Sequence, residues 1–157
     1  MIKDAVISEC GTYRYKLQRR WGEGAAVCFI MLNPSTADAS IDDPTIRKCV
    51  GFAKLLGYEQ LDVVNLFAYR STDPSKLRMV PDPIGVENDR HIVSAVESCA
   101  AVICAWGAGS PIEYRGPWVQ KVMLKRMGIT PLALKVTKGG HPAHPLYLSY
   151  TCTPKEF

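Results

Sequence analysis

The sequence predicts an α/β fold: a three-layer α/β/α sandwich with a mainly parallel, four-stranded central sheet and an N-terminal β-hairpin. Three observations carry this. Apolar runs of strand length, such as residues 25–32, are continuous rather than alternating, as in strands buried on both faces. Segments of helical periodicity separate them, so successive strands need right-handed crossovers. With 157 residues, 47% hydrophobic and 22% charged, the chain is long and apolar enough for one domain, residues 1–157.

Each element follows in order. Residues 5–20 alternate around Cys10-Gly11-Thr12, a hairpin turn. Residues 25–32 form a buried strand, and a polar loop runs from 33 to 43. Asp43 then caps a helix with Pro44 at its first position and Ile46, Cys49, Val50 and Ala53 on its apolar face. Gly57 ends that helix in the left-handed conformation that glycine adopts at low cost. Residues 61–66 make a second buried strand, followed by a loop rich in Ser, Thr, Asp and Pro. A helix over 86–99 turns Ile92, Val93 and Val96 inward, and 100–106 form a third strand. A helix over 117–127 buries Trp118, Val119, Val122 and Met123 and stops at Gly128. Residues 132–136 are a short fourth strand, and the chain from Thr137 is rich in Gly, Pro and His.

Composition narrows the function classes. No apolar run approaches the ~20 residues of a membrane span. Met1-Ile2-Lys3-Asp4 does not begin a signal peptide, so a cytoplasmic protein without a membrane partner is expected. The six cysteines, at 10, 28, 49, 99, 104 and 152, form no C-x-x-C pair and read as reduced structural thiols. Asp38, Asp42 and Asp43 match no hard-cation loop; Asp43 caps and the other two face solvent, so no metal or cofactor is expected. A formal net charge of +4 suits a nucleic-acid partner without establishing one.

In an open parallel sheet the loops leaving the carboxyl ends of the strands share one edge, where ligands bind. Those loops begin at Asn33, near Asn65, at Trp106 and after Val136. Pro34 keeps Asn33 out of the α conformation at the mouth of its strand, where an amide can hold a water or a polar ligand. The plainer reading is an Asn-Pro turn without chemistry. Asn65 ends an apolar run, and an amide there needs partners or costs about 1–3 kcal/mol. It either satisfies the backbone or reads the edge of a planar ligand. Arg70, just beyond, suits a phosphate or an acid. His91 lies exposed on a helix, whereas His141 and His144 bracket Pro142-Ala143 in a loop, where an imidazole can donate to a developing anion.

These residues resemble two families. Leu32-Asn33-Pro34-Ser35-Thr36-Ala37-Asp38, Asp43-Pro44-Thr45, Val64-Asn65-Leu66-Phe67-Ala68-Tyr69-Arg70, Ala105-Trp106-Gly107 and His144-Pro145-Leu146-Tyr147-Leu148 are similar to the DUF1643 family of bacterial and phage proteins. The pattern also resembles the uracil-DNA glycosylase superfamily. Leu32-Asn33-Pro34-Ser35 stands at its first motif, His144-Pro145-Leu146-Tyr147-Leu148-Ser149 keeps the skeleton of its second, and Asn65 stands at its strand-end Asn.

That resemblance implies a uracil-DNA glycosylase-like domain that flips a nucleotide out of DNA and hydrolyses its N-glycosidic bond, leaving an abasic site. Asn33 would position the water and His144 would donate to the base anion. Asn65 would read the base edge, and Phe67 or another aromatic would stack on it. Pro34, Ser35, Arg70, Trp106 and His141 complete the substrate-binding set. Leu148, with Tyr147, would wedge into the stack. Asn33 replaces the Asp of the fastest uracil enzymes, so water activation is weaker. Ser35 replaces a blocking Tyr, which points to a C5-modified or damaged pyrimidine, such as those of phage DNA, and to anti-phage defence. A monomer is expected. Two alternatives stand beside this: a non-catalytic module that binds nucleic acid or a modified base, and an N-glycosidase of free nucleosides or nucleotides. The last would act with little salt dependence, unlike a DNA enzyme.

Overall fold

The computed structural model describes residues 1–157, organised by one sheet. β1 (Ile2–Ile7) and β2 (Arg14–Arg20) form an antiparallel hairpin. β3 (Ala26–Met31), β4 (Gln60–Asn65), β5 (Ala101–Cys104), β6 (Leu132–Ala133) and β7 (Lys155–Glu156) follow. In space the order is β1-β2-β4-β3-β5-β6-β7. The four inner strands, β4, β3, β5 and β6, are parallel, while the hairpin and β7 join antiparallel.

The sheet is therefore mixed and seven-stranded, which corrects the expected four strands with an appended hairpin. β2 pairs with β4 from Leu17↔Val63 to Arg20↔Gln60, so the hairpin belongs to the sheet. An alternating hairpin reads the same in sequence whether or not its second strand finds a partner. β7 is two residues long, too short for any periodicity to announce it.

Helices cover both faces. α1 (Pro44–Leu55) starts where the Asp43 carboxylate accepts from the Ile46 N–H at 2.9 Å, and the chain leaves it through Gly57 at φ 85°. Ile46, Cys49, Phe52 and Ala53 pack on Val27, Phe29, Leu61 and Val63. On the opposite face α2 (Asn88–Ser98) and α3 (Arg115–Trp118, continued by a π-helical turn, Val119–Leu124) cover Cys28, Ile30, Val64, Val102 and Cys104. Each fully buried large apolar side chain here contributes about 1.5–3 kcal/mol.

Several local expectations change. Trp118 is 38% exposed, because the buried Arg115 takes the inner position. Arg115 Nε donates to the Leu66 carbonyl at 3.0 Å, its Nη2 pairs with Asp89, and its guanidinium lies against the Trp118 ring. His91 is half-buried, stacked 5.1 Å from Tyr15. Asp42 pairs with Arg19 and Lys3, while Asp38 accepts from the backbone of Ser40 and Ile41. The fourth parallel strand stops at Ala133, because Lys135 and Thr137 pair instead with Ala143 and His141. No helix is long and apolar enough to cross a membrane.

Candidate functional site

Met31 and Asn65 are register partners at the carboxyl ends of β3 and β4. The ladder continues as Leu66 and Phe67 donate to the Met31 and Leu32 carbonyls. Beyond this edge opens a cleft of about 420 Å³. Its walls come from the 31–35 segment, the first turn of α1, the 71–74 loop and the segment from His144 to Tyr147, with Arg14 of β2 joining them. That volume suits a nucleoside-sized ligand.

Asn33 is pinned. Its Nδ2 donates to the carbonyls of Ser71 at 2.9 Å and Pro34 at 3.1 Å, and the Ser71 N–H returns to the Pro34 carbonyl. No protein group donates to Asn33 Oδ1, so the oxygen is left as an acceptor at the cleft. Asn65 lies deeper, 1% exposed, and neither its Nδ2 nor its Oδ1 has a partner. Val63, two residues earlier in β4, lines the same cleft, as strand alternation requires. Asn88 Nδ2 holds the Asn65 and Leu66 main-chain carbonyls, which fixes the strand end without satisfying the Asn65 side chain.

His144 Nδ1 accepts from the Leu146 N–H at 3.2 Å, which assigns the proton of the neutral ring to Nε2. Burial holds this imidazole below its ordinary range, with the Asp43 carboxylate pulling it back upward. At neutral pH it is therefore a neutral donor. Gly107 sits beside His144 at φ 76°, a conformation glycine adopts at low cost, and its N–H donates to the Pro142 carbonyl at 2.7 Å.

Of the residues singled out in the sequence, Asn33, Pro34, Ser35, Asn65, His144 and Tyr147 meet on this cleft. Tyr147 is 91% exposed. The others stand apart from it. Phe67 and Trp106 are buried in the core on the α2 face, Trp106 against Phe157 and Gly116. Leu148 is half-buried against the α1-side core. Arg70 turns toward the Gly11 carbonyl. His141 is exposed in the 136–142 turn, where its main chain pairs with Thr137.

The structure adds lining residues: Arg14, Ser71 and Thr72, which no motif marked, and Asp43 and Thr45, which stand in the Asp43-Pro44-Thr45 motif without a site role. Asp43 caps α1 through Oδ1, and no protein group donates to its Oδ2. Arg14 is 2% exposed and donates through Nη1 to the Ala37 carbonyl at 2.9 Å, while its Nε has no partner. Burial pulls this guanidinium down to about 10, opposed by Asp43, so it stays charged at neutral pH. The signal in sequence was an arginine opening an alternating strand, which reads as ordinary surface.

The molecule is an α/β protein built on one open, mixed sheet, with a polar cleft at the carboxyl edge of adjacent parallel strands. The chain belongs to the DUF1643 family, described as a protein of unknown function, whose model matches residues 14–146. The matched span begins on Arg14 and contains every cleft-lining residue except Tyr147. Comparisons with curated proteins and with solved structures give no match.

Proposed function

We propose that this cleft receives a pyrimidine base flipped out of DNA and hydrolyses its N-glycosidic bond, as in the uracil-DNA glycosylases that the motifs resemble. The observation that carries the reading is Asn65. A fully buried amide with both polar atoms unpaired costs about 1–3 kcal/mol per group, and a base edge supplies the missing donor and acceptor together.

The remaining groups fit the same chemistry. Asn33 Oδ1 accepts a hydrogen bond from the attacking water. As the bond between C1′ and the base nitrogen breaks, its electron pair leaves with the base, and His144 Nε2–H donates to the growing negative charge. The water oxygen bonds to C1′, its proton passes to the free oxygen of Asp43, and solvent protonates the departed base. Asp43 supplies the carboxylate that Asn33 lacks. Ser35 leaves room beside the base for a C5 substituent, which favours modified or damaged pyrimidines, including those of phage DNA. Tyr147, outermost on the rim, fills the vacated stack. Phe67, packed in the core, and Leu148, half-buried against it, have no part.

The test is alkali-induced strand cleavage on duplexes carrying uracil, mismatched thymine, hydroxymethylcytosine or glucosylated hydroxymethylcytosine. Cleavage of one member is expected, falling by about 10²–10⁴-fold in Asn33→Ala and His144→Ala. A second reading, recognition without hydrolysis, is favoured by Asn33 itself, since an amide cannot take a proton. DNA that is bound by the protein but uncleaved throughout the panel would establish that reading instead.

A further inference from the structure

Four buried side-chain polar atoms in the protein lack a hydrogen-bond partner, and three of them belong to Arg14 and Asn65 on the cleft lining. Both residues lie deep, at 2% and 1% exposure, and both line the cleft. Arg14 receives one protein acceptor, the Ala37 carbonyl. A guanidinium has only donors to offer, so its open Nε–H can be met only by an acceptor. The two charges of the cleft are opposite: the Asp43 carboxylate lies on the α1 side and the Arg14 cation on the β2 side.

We propose that Arg14 is a further catalytic residue of this cleft, binding the negative charge that collects on the ring of the base as its glycosidic bond breaks. The proposal rests on the base-excising function above and deepens it. Bond breaking separates charge, leaving a cationic sugar and an anionic ring. A cleft with a carboxylate and a buried guanidinium matches both ends before the reaction starts, which is where preorganised electrostatics act most strongly. The donated bond is charge-assisted and desolvated, stronger than the neutral donation from His144. The cleft therefore prefers an anionic pyrimidine ring over a neutral one of the same shape.

Titration calorimetry tests this without any turnover. The free bases 5-nitrouracil, an anion at neutral pH, and thymine, neutral there, are titrated into the full chain and into Arg14→Gln and Arg14→Lys. The wild type is expected to bind the anion tighter by about tenfold or more, the worth of one charge-assisted hydrogen bond. Arg14→Gln loses that preference, and Arg14→Lys, which keeps the charge without the planar fork, keeps part of it. Equal affinity for the two rings, no detectable binding of either, or an unchanged preference in a folded Arg14→Gln each overturns the role of Arg14. The base-excising reading is judged separately, by strand cleavage. It survives any of these outcomes if one duplex of the panel is cut, and falls only if none is.

Discussion

β2 carries two buried arginines that differ in how the protein treats them. Arg19 is 0% exposed and makes five hydrogen bonds, matching its five N–H donors: Nε to Asp42, Nη1 to the Asp4 and Gln18 carbonyls, Nη2 to those of Asp38 and Ile41. Arg14, five residues away and as deeply buried, makes one. A related contrast separates two buried asparagines, Asn65 at the end of β4 and Asn88 at the start of α2. Asn88 Nδ2 commits both its N–H groups to main-chain carbonyls and leaves only its Oδ1 open, away from the cleft, while both polar atoms of the Asn65 side chain are open on the cleft lining. A buried side chain whose N–H donors are all committed to the protein belongs to the scaffold. One that is left open, beside a cleft, is kept for something that enters.

Stability separates the members of each pair. Arg19→Met leaves the Asp42 carboxylate with Lys3 alone, takes a donor from four carbonyls and is expected to cost about 3–5 kcal/mol by urea unfolding. Arg14→Met removes an under-partnered charge and is expected to leave stability unchanged or raised. Equal losses would erase the distinction between scaffold and site. Asn65→Leu is expected to gain about 1–3 kcal/mol by removing two orphaned groups, while abolishing strand cleavage. A destabilised Asn65→Leu would mean that the amide is partnered after all. Asp43→Ala loses the α1 cap, about 1 kcal/mol, together with the proton acceptor, so activity falls far more than stability.

The smallest expected effect is on pH dependence. His144 is buried in its neutral form, with its folded pKa below the ordinary value of about 6.5. The unfolded chain then takes up its proton first as pH falls, so stability drops on acidification through about pH 6.5. His91 acts in the same direction. Urea midpoints at neutral and mildly acidic pH should show a shallower decline in His144→Gln than in the parent.

Much of this was legible in the chain. Continuous apolar runs located β3, β4 and β5, and Asp43-Pro44 with Gly57 bracketed α1 closely. The sheet-edge rule gathered Asn33, Asn65 and His144 at one rim. It failed for Phe67 and Trp106 because strands buried on both faces are apolar at every position, so the pattern does not tell which face opens into a cleft. β4 ends at Asn65, where Asn88 clamps the turn, and strand alternation no longer places Phe67 beside Asn65. Arg14 escaped notice because its neighbours Lys16 and Gln18 are polar too, and only the tertiary fold buries it.

The most direct test follows the side-chain N–H signals of the paired residues by ¹⁵N NMR while a duplex containing 5-hydroxymethyluracil is added to Asn33→Ala protein. The Asn65 amide and Arg14 Nε–H signals are expected to move downfield on binding, while those of Asn88 and Arg19 stay in place. If the duplex binds and the Asn65 and Arg14 signals do not shift, these open groups are not what the cleft uses to read its ligand, and the account of the site is wrong.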